Sequence, residues 1–260
     1  GWVVLGEGRG PWHIEVFRHQ GGVLYFYGPD LPVTPFETLL LDSAQSKPRL
    51  EAAVSVYRAM RRLAEAGVEL PALSLTGIFL TNEEGVFFAP PEIIARTLTH
   101  LPESSELAYV ERHTHPDLQG ERRDAMALGI WVYRILTGAW PFPGESVAEI
   151  RDRFRSSPPR PPRALRPSLE ASIAEALETL LSDPRPESAE ALLERLQELK
   201  DLDVGVSTQE EEEVRQREER RWNEGTRKLR QRRYLSRNWK KLLLLGVIVL
   251  VVLSVPISIV

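Results

Sequence analysis

Asp124-Ala-Met-Ala-Leu-Gly-Ile-Trp-Val-Tyr-Arg-Ile-Leu-Thr-Gly-Ala-Trp-Pro-Phe142 is the stretch on which the fold of this 260-residue chain turns. Between Ala125 and Leu136 only Arg134 is charged, so the segment is apolar on nearly every face. A helix of that kind belongs inside a protein, with other elements packed around several of its sides. Asp124 stands where an N-terminal cap is expected, Gly138 where a helix stops, and Pro141 lies just beyond. The run is too short and too interrupted to span a bilayer, so it is expected to be the central core helix.

Elements able to wrap it lie on both sides. Upstream, Leu50, Ala53, Val54, Tyr57, Met60, Leu63 and Ala64 recur at helical spacing, with Ser46 to cap the helix and Gly67 to end it. Downstream, Leu169, Ile173, Ala176, Leu177, Leu180 and Leu181 predict a second amphipathic helix, and Ala191, Leu192, Leu196 and Leu199 a third. Residues 1–45 differ. Trp2–Leu5, His13–Phe17 and Val23–Tyr27 are rich in β-branched and aromatic residues and predict strands, the last two joined as a hairpin. Pro35–Leu41 is expected to open a short helix.

Lys+Arg 33 against Asp+Glu 37 leaves a net charge of −4, which excludes a global nucleic-acid field. With no cysteine, disulfides and thiolate metal sites are excluded. The first residue is Gly1 and no signal peptide follows, so a fragment of a longer protein is expected.

The spacing Asp-x-x-x-Leu-Gly-x-x-x-Tyr-x-x-Leu-Thr-Gly-x-x-Pro-Phe resembles the central helix of the large lobe of protein kinases. The resemblance implies an α+β fold with a mainly helical large lobe and a reduced β small lobe. It gives Asp124 the task of tying down the catalytic-loop backbone, and it makes Gly129 a structural position. On the same resemblance, the catalytic loop aligns without a gap from Gly67 to Leu80. The family's His-Arg-Asp then falls on Leu70, Pro71 and Ala72, its following lysine on Ser74, its magnesium-binding asparagine on Gly77, and the start of Asp-Phe-Gly on Pro90. No lysine precedes Lys47 to contact nucleotide phosphates. Phosphoryl transfer rests on such groups for positioning and charge stabilisation, and losing one commonly costs ~10²–10³ in rate. The expectation is a pseudokinase with no catalytic residue, cofactor or metal.

Other motifs give weaker signals. Gly6-Glu-Gly-Arg-Gly10 places its third glycine one position early for a phosphate loop and reads as a turn. Glu92, beside a proline pair, reads as a surface residue in preference to a metal ligand. His113 and His115 lack a third ligand nearby and make a poor metal pair. The proline-rich Pro158–Pro162 favours an extended backbone and reads as a connection in preference to an SH3-type ligand. His115-Pro-Asp117 resembles the family's Ala-Pro-Glu. Ser182-Asp-Pro-Arg-Pro-Glu-Ser188 resembles its Asp-Pro-x-x-Arg-Pro-Ser junction. The resemblance therefore implies a semi-buried Asp117–Arg185 ion pair.

The C-terminal end has its own character. Glu210–Glu213 is acidic, and from Arg215 to Lys241 twelve Lys/Arg stand against three Glu. Leu242–Val260 carries no charge and as a helix reaches about 28 Å, close to the ~30 Å of a bilayer core. Arg237, Trp239, Lys240 and Lys241 suit a membrane-flanking position with the folded part cytoplasmic and the C-terminus opposite. The expected organisation is strands, hinge and short segment over 1–45, a helical lobe over 46–204, a charged juxtamembrane segment over 205–241, and a transmembrane helix over 242–260.

The function expected from this organisation is a membrane-anchored docking or regulatory module without phosphoryl transfer. Its expected partners are the bilayer through 242–260 and a cytoplasmic protein, with no nucleic acid. One alternative is a divergent ATP-dependent protein kinase using Glu92 or Glu83 for metal. The other is a plain membrane-anchored assembly protein.

Overall fold

In chain order the elements are β1 (Trp2–Leu5), β2 (Gly8–Pro11), β3 (Val16–Gln20), β4 (Val23–Tyr27), β5 (Val33–Pro35), α1 (Phe36–Leu41), α2 (Ser46–Glu65), β6 (Ile78–Thr81) and β7 (Val86–Phe88). The helices α3 (Gly120–Thr137), α4 (Val147–Ser156), α5 (Pro162–Leu165), α6 (Ala171–Ser182), α7 (Pro186–Glu198) and α8 (Thr208–Ser254) follow. The computed structural model describes the backbone over 2–5, 8–11, 16–20, 23–27, 33–41, 46–68, 70, 75–81, 85–89, 112–198 and 207–254. Side chains are described within these ranges from 33 to 236, apart from 76, and at 238.

The apolar stretch is the hub. Every residue from Ala125 to Tyr133 is buried, as are Ile135 and Leu136. Helices α2, α6, α7, α1 and α5 all pack against α3. Trp131 is fully buried, and the Phe36 ring meets it edge-on at 5.0 Å and 75°. Gly129 lets α6 come close: a Cβ there would lie 3.1 Å from Leu181 and 3.2 Å from Leu180. Gly138 ends the helix with φ of 72°, and its N–H donates to the Arg134 carbonyl at 3.0 Å. The helix starts earlier than expected. Gln119 occupies the N-cap position, and Asp124 lies a full turn inside.

Helices α1 and α2 are joined by a buried cation. The Arg49 guanidinium donates to the carbonyls of Leu39 at 2.9 Å and Leu40 at 2.7 Å, satisfying acceptors that the end of α1 leaves open.

The sheet overturns the two-lobed kinase-like expectation. Its strand order is β2-β1-β7-β6-β5, antiparallel throughout, with β3 and β4 forming a separate hairpin. The first strand, expected in a reduced small lobe, pairs instead with β7 from the hairpin that follows the loop, Trp2 opposite Phe88. Strands from both expected lobes therefore share one small sheet, and β6 and β7 in turn pack against α2. The fold is mainly helical with a small antiparallel sheet, and a kinase-like architecture is not what these elements form.

The membrane expectation is corrected too. Among the described residues no helix is long and apolar enough to cross a membrane. All the charge of α8 lies before its apolar end, Leu242–Ser254, which rises only about 20 Å at ~1.5 Å per residue, short of the ~30 Å required. Residues 255–260, which would have to complete a span, lie outside the described residues. The single-pass anchor, the membrane location and the far-side C-terminus are withdrawn with it. The backbone of Arg237, Trp239, Lys240 and Lys241 belongs to α8, and their side chains lie outside the described residues.

The close α3–α6 approach gives a direct test. Gly129→Val would push a branched side chain into Leu180 and Leu181 and is expected to cost about 1–3 kcal/mol in urea denaturation. An unchanged midpoint would show that these helices are not in contact there.

Candidate functional site

The site is built where α8 lies along the helical body. Ser146 starts α4 by accepting the Glu149 N–H at 3.2 Å, while the Glu149 carboxylate accepts the Glu145 N–H at 3.1 Å. That start sets Asp152, Arg153 and Phe154 on a regular helix, whose last turn leads into the prolines. The proline run is covered rather than presented. Pro159, Pro161 and Pro162 are buried, and Pro161 has the extended φ of −59° and ψ of 130°.

Helix α8 is fastened to this run by Trp222. Its indole N–H donates to the Pro158 carbonyl at 3.1 Å, and the Arg160 guanidinium sits 5.8 Å from the ring centre. Arg160 also pairs with Glu219 at 3.2 Å. At the position beside Trp222, Arg221 donates to Glu178 of α6 at 2.7 Å. Burial pushes the Glu178 carboxyl up, and Arg221 opposes that shift. Further along, Arg233 reaches Asp152 at 3.8 Å. The ion pairs are partly solvated and individually weak, so the buried face around Trp222 and Thr226 carries most of the attachment.

Beyond this clamp α8 and α4 enclose an open groove of about 950 Å³. Trp222, Thr226, Arg230 and Tyr234 line it at four-residue spacing, which puts them in one stripe of the helix. Arg227 and Leu235 line it from the neighbouring stripe, and Arg153 faces them from α4. Arg153 is already engaged by Glu149 at 3.3 Å. Among the described residues neither Arg227 nor Arg230 has an acidic partner. Tyr234 and Leu235 are exposed, at 64% and 54%. The groove therefore combines free guanidinium groups with uncovered aromatic and aliphatic surface.

The positions expected to matter from the sequence lie elsewhere. Asp124 is buried, and Arg123 donates to its Oδ1 from Nε at 2.8 Å and from Nη2 at 2.7 Å. Burial pushes the Asp124 carboxyl up, and the Arg123 guanidinium opposes this. Arg123 Nη1 also donates to the Leu70 carbonyl at 2.5 Å, so α3 does hold the loop backbone, through an arginine that sequence reasoning missed. Gly77 is buried and its carbonyl accepts the Ala89 N–H at 2.8 Å. Pro71, Ala72, Ser74, Glu83, Pro90 and Glu92 lie outside the described residues.

The expected Asp117–Arg185 pair is not formed. Asp117 takes Arg155 of α4 in a bidentate pair at 2.7 and 2.6 Å, and Arg185 turns to Asp183 at 2.5 Å. Both are surface pairs, so neither supplies the buried fastening that was expected. His113 and His115 do not converge either. The first packs 6.2 Å from the Trp131 ring, the second edge-on to Phe154 at 5.1 Å. Among the described residues no three His, Asp or Glu side chains come together as a metal site.

Comparison with protein-family models finds none that matches the chain, and comparison with curated proteins finds no match. The groove must be interpreted from its own chemistry.

His115 provides the pH test of this region. Burial lowers its pKa below the ordinary imidazole value of about 6.5, and its Nδ1 accepts the Asp117 N–H at 3.1 Å. The unfolded chain therefore binds the proton more tightly, and stability contributed by the neutral ring is lost as pH falls below ~6.5. Urea midpoints measured from pH 7.5 down to 5.5 should fall more steeply for the native chain than for His115→Phe. Parallel curves would show that the ring titrates as it does in the unfolded chain.

Proposed function

We propose that the protein is a docking module without phosphoryl transfer, whose groove between α4 and α8 takes an acidic segment of a partner protein. The observation that carries this is the pairing of free Arg227 and Arg230 guanidinium groups with exposed Tyr234 and Leu235 in one groove. Guanidinium groups are suited to planar, bidentate capture of carboxylates. Aromatic residues and arginine are also the side chains that most often anchor protein interfaces. The helix is fastened to the body at Trp222, so the groove is shaped before a partner arrives and less ordering free energy is lost on binding.

The test is titration of the protein with a short fluorescent peptide alternating Glu and Leu, read by anisotropy. Saturable binding that weakens with salt is expected. Arg227→Glu with Arg230→Glu should weaken it about tenfold or more, some 1.4 kcal/mol per decade, with an unchanged thermal midpoint. Equal binding by the charge-reversed protein would overturn the proposal. So would a strong preference for single-stranded nucleic acid or anionic vesicles over the peptide.

A further inference from the structure

Trp140 follows the end of α3, and its half-buried indole packs against the core. Two arginines from separate segments meet over that ring. The guanidinium carbon of Arg134, in the last turn of α3, lies 5.2 Å from the ring centre. That of Arg112, which precedes the helix, lies 5.8 Å from it. Both residues are half-buried, so their surroundings hold them while solvent still reaches them.

Other arginines of comparable burial meet carboxylates: Arg61 pairs with Glu190, Arg153 with Glu149 and Arg160 with Glu219. Among the described residues Arg112 and Arg134 meet main-chain oxygens only. Arg112 Nη2 donates to the Gly144 carbonyl at 3.2 Å, and Arg134 Nη1 donates to the Gly138 carbonyl. The Glu149 carboxylate at the start of α4 is taken by Arg153 and the Glu145 N–H. The negative end of α3 carries about half a unit of charge, which Arg134 answers by itself. The Arg112 charge therefore stands uncompensated, and burial together with the neighbouring Arg134 charge lowers its pKa. Arginine keeps its proton in proteins, so an anion, in place of proton loss, relieves the repulsion. Each guanidinium has five N–H donors, and most of them are left for another acceptor.

We propose that Arg112 and Arg134 form a binding site for a phosphate monoester dianion beside the Trp140 ring. Two guanidinium groups match its charge, and its three terminal oxygens accept paired N–H groups from both. The indole holds the cations in place beforehand, which reduces the ordering lost on binding. The site uses neither Arg227 nor Arg230 and stands whether or not the groove between α4 and α8 takes an acidic segment.

Titration calorimetry of the full chain with inorganic phosphate and with a short phosphoserine peptide, flanked by alanine and glycine, tests it. One saturable site is expected, for which the two probes compete. Tighter binding of the peptide would mark a phosphorylated side chain as the source, and tighter or equal binding of free phosphate a small phosphate. Either result supports the site. Arg134 also closes the end of α3, so Arg112→Gln, which leaves that helix intact, is the deciding variant. It should weaken binding about tenfold or more with an unchanged thermal midpoint, and Arg112→Lys should weaken it less. The groove variant carrying Arg227→Glu and Arg230→Glu should bind phosphate as the native chain does. Absence of saturable binding of either probe at millimolar concentration would overturn the proposal. So would undiminished binding by Arg112→Gln, loss of binding in the groove variant, or acetate binding as tightly as phosphate.

Discussion

The structure depends on one constraint: α3 is apolar around its whole circumference and must be enclosed. An amphipathic helix needs one neighbour, whereas this one is met by α1, α2, α5, α6 and α7. Burying side chains such as Trp131, Leu128 and Ile130 contributes about 1.5–3 kcal/mol each from removal of apolar surface. Close packing adds to this, because the Leu180 and Leu181 side chains of α6 come so near Gly129 that a Cβ there would be crowded at 3.1–3.2 Å. The remaining helices are arranged by the requirement to cover that hub.

Charge enters this core only where it is answered. Asp124, inside the helix, is held by Arg123, and the same guanidinium reaches the Leu70 carbonyl. One arginine thus compensates a buried carboxylate and fixes the incoming loop. Removing either partner would leave an uncompensated buried charge, a cost of roughly 3–5 kcal/mol. Arg49 does comparable work at the end of α1. Open hollows then arise where α8, a helix too polar to join the core, lies along the finished body. It is anchored where Trp222 finds a carbonyl, and hollows remain on either side of that seam.

The hub was legible because twelve consecutive positions with one charge have a single physical meaning. Helix α2 was legible from its periodicity, and Gly138 from its place after the run. The start of α3 was misplaced because Glu121-Arg-Arg123 looks like loop, and nothing local shows that Arg123 bends back to neutralise Asp124. The Asp117 partner was misassigned by analogy: Arg155 sits closer in the fold than Arg185 does. The sheet was misread because pairing of Trp2 with Phe88 joins segments far apart in the chain. The groove was invisible for the same reason. Trp222 and Pro158 meet across 64 positions, and the four-residue spacing of Trp222, Thr226, Arg230 and Tyr234 acquires meaning only once α4 lies opposite.

Native-state hydrogen exchange along α3 tests the central claim most directly. If this helix is the enclosed hub, amides from Ala125 to Leu136 should exchange only through global unfolding, with opening free energies equal to the stability from urea denaturation. Amides of α8 beyond Leu235 should exchange far faster. Exchange of the α3 amides through smaller openings, with α2 and α6 still protected, would contradict the account.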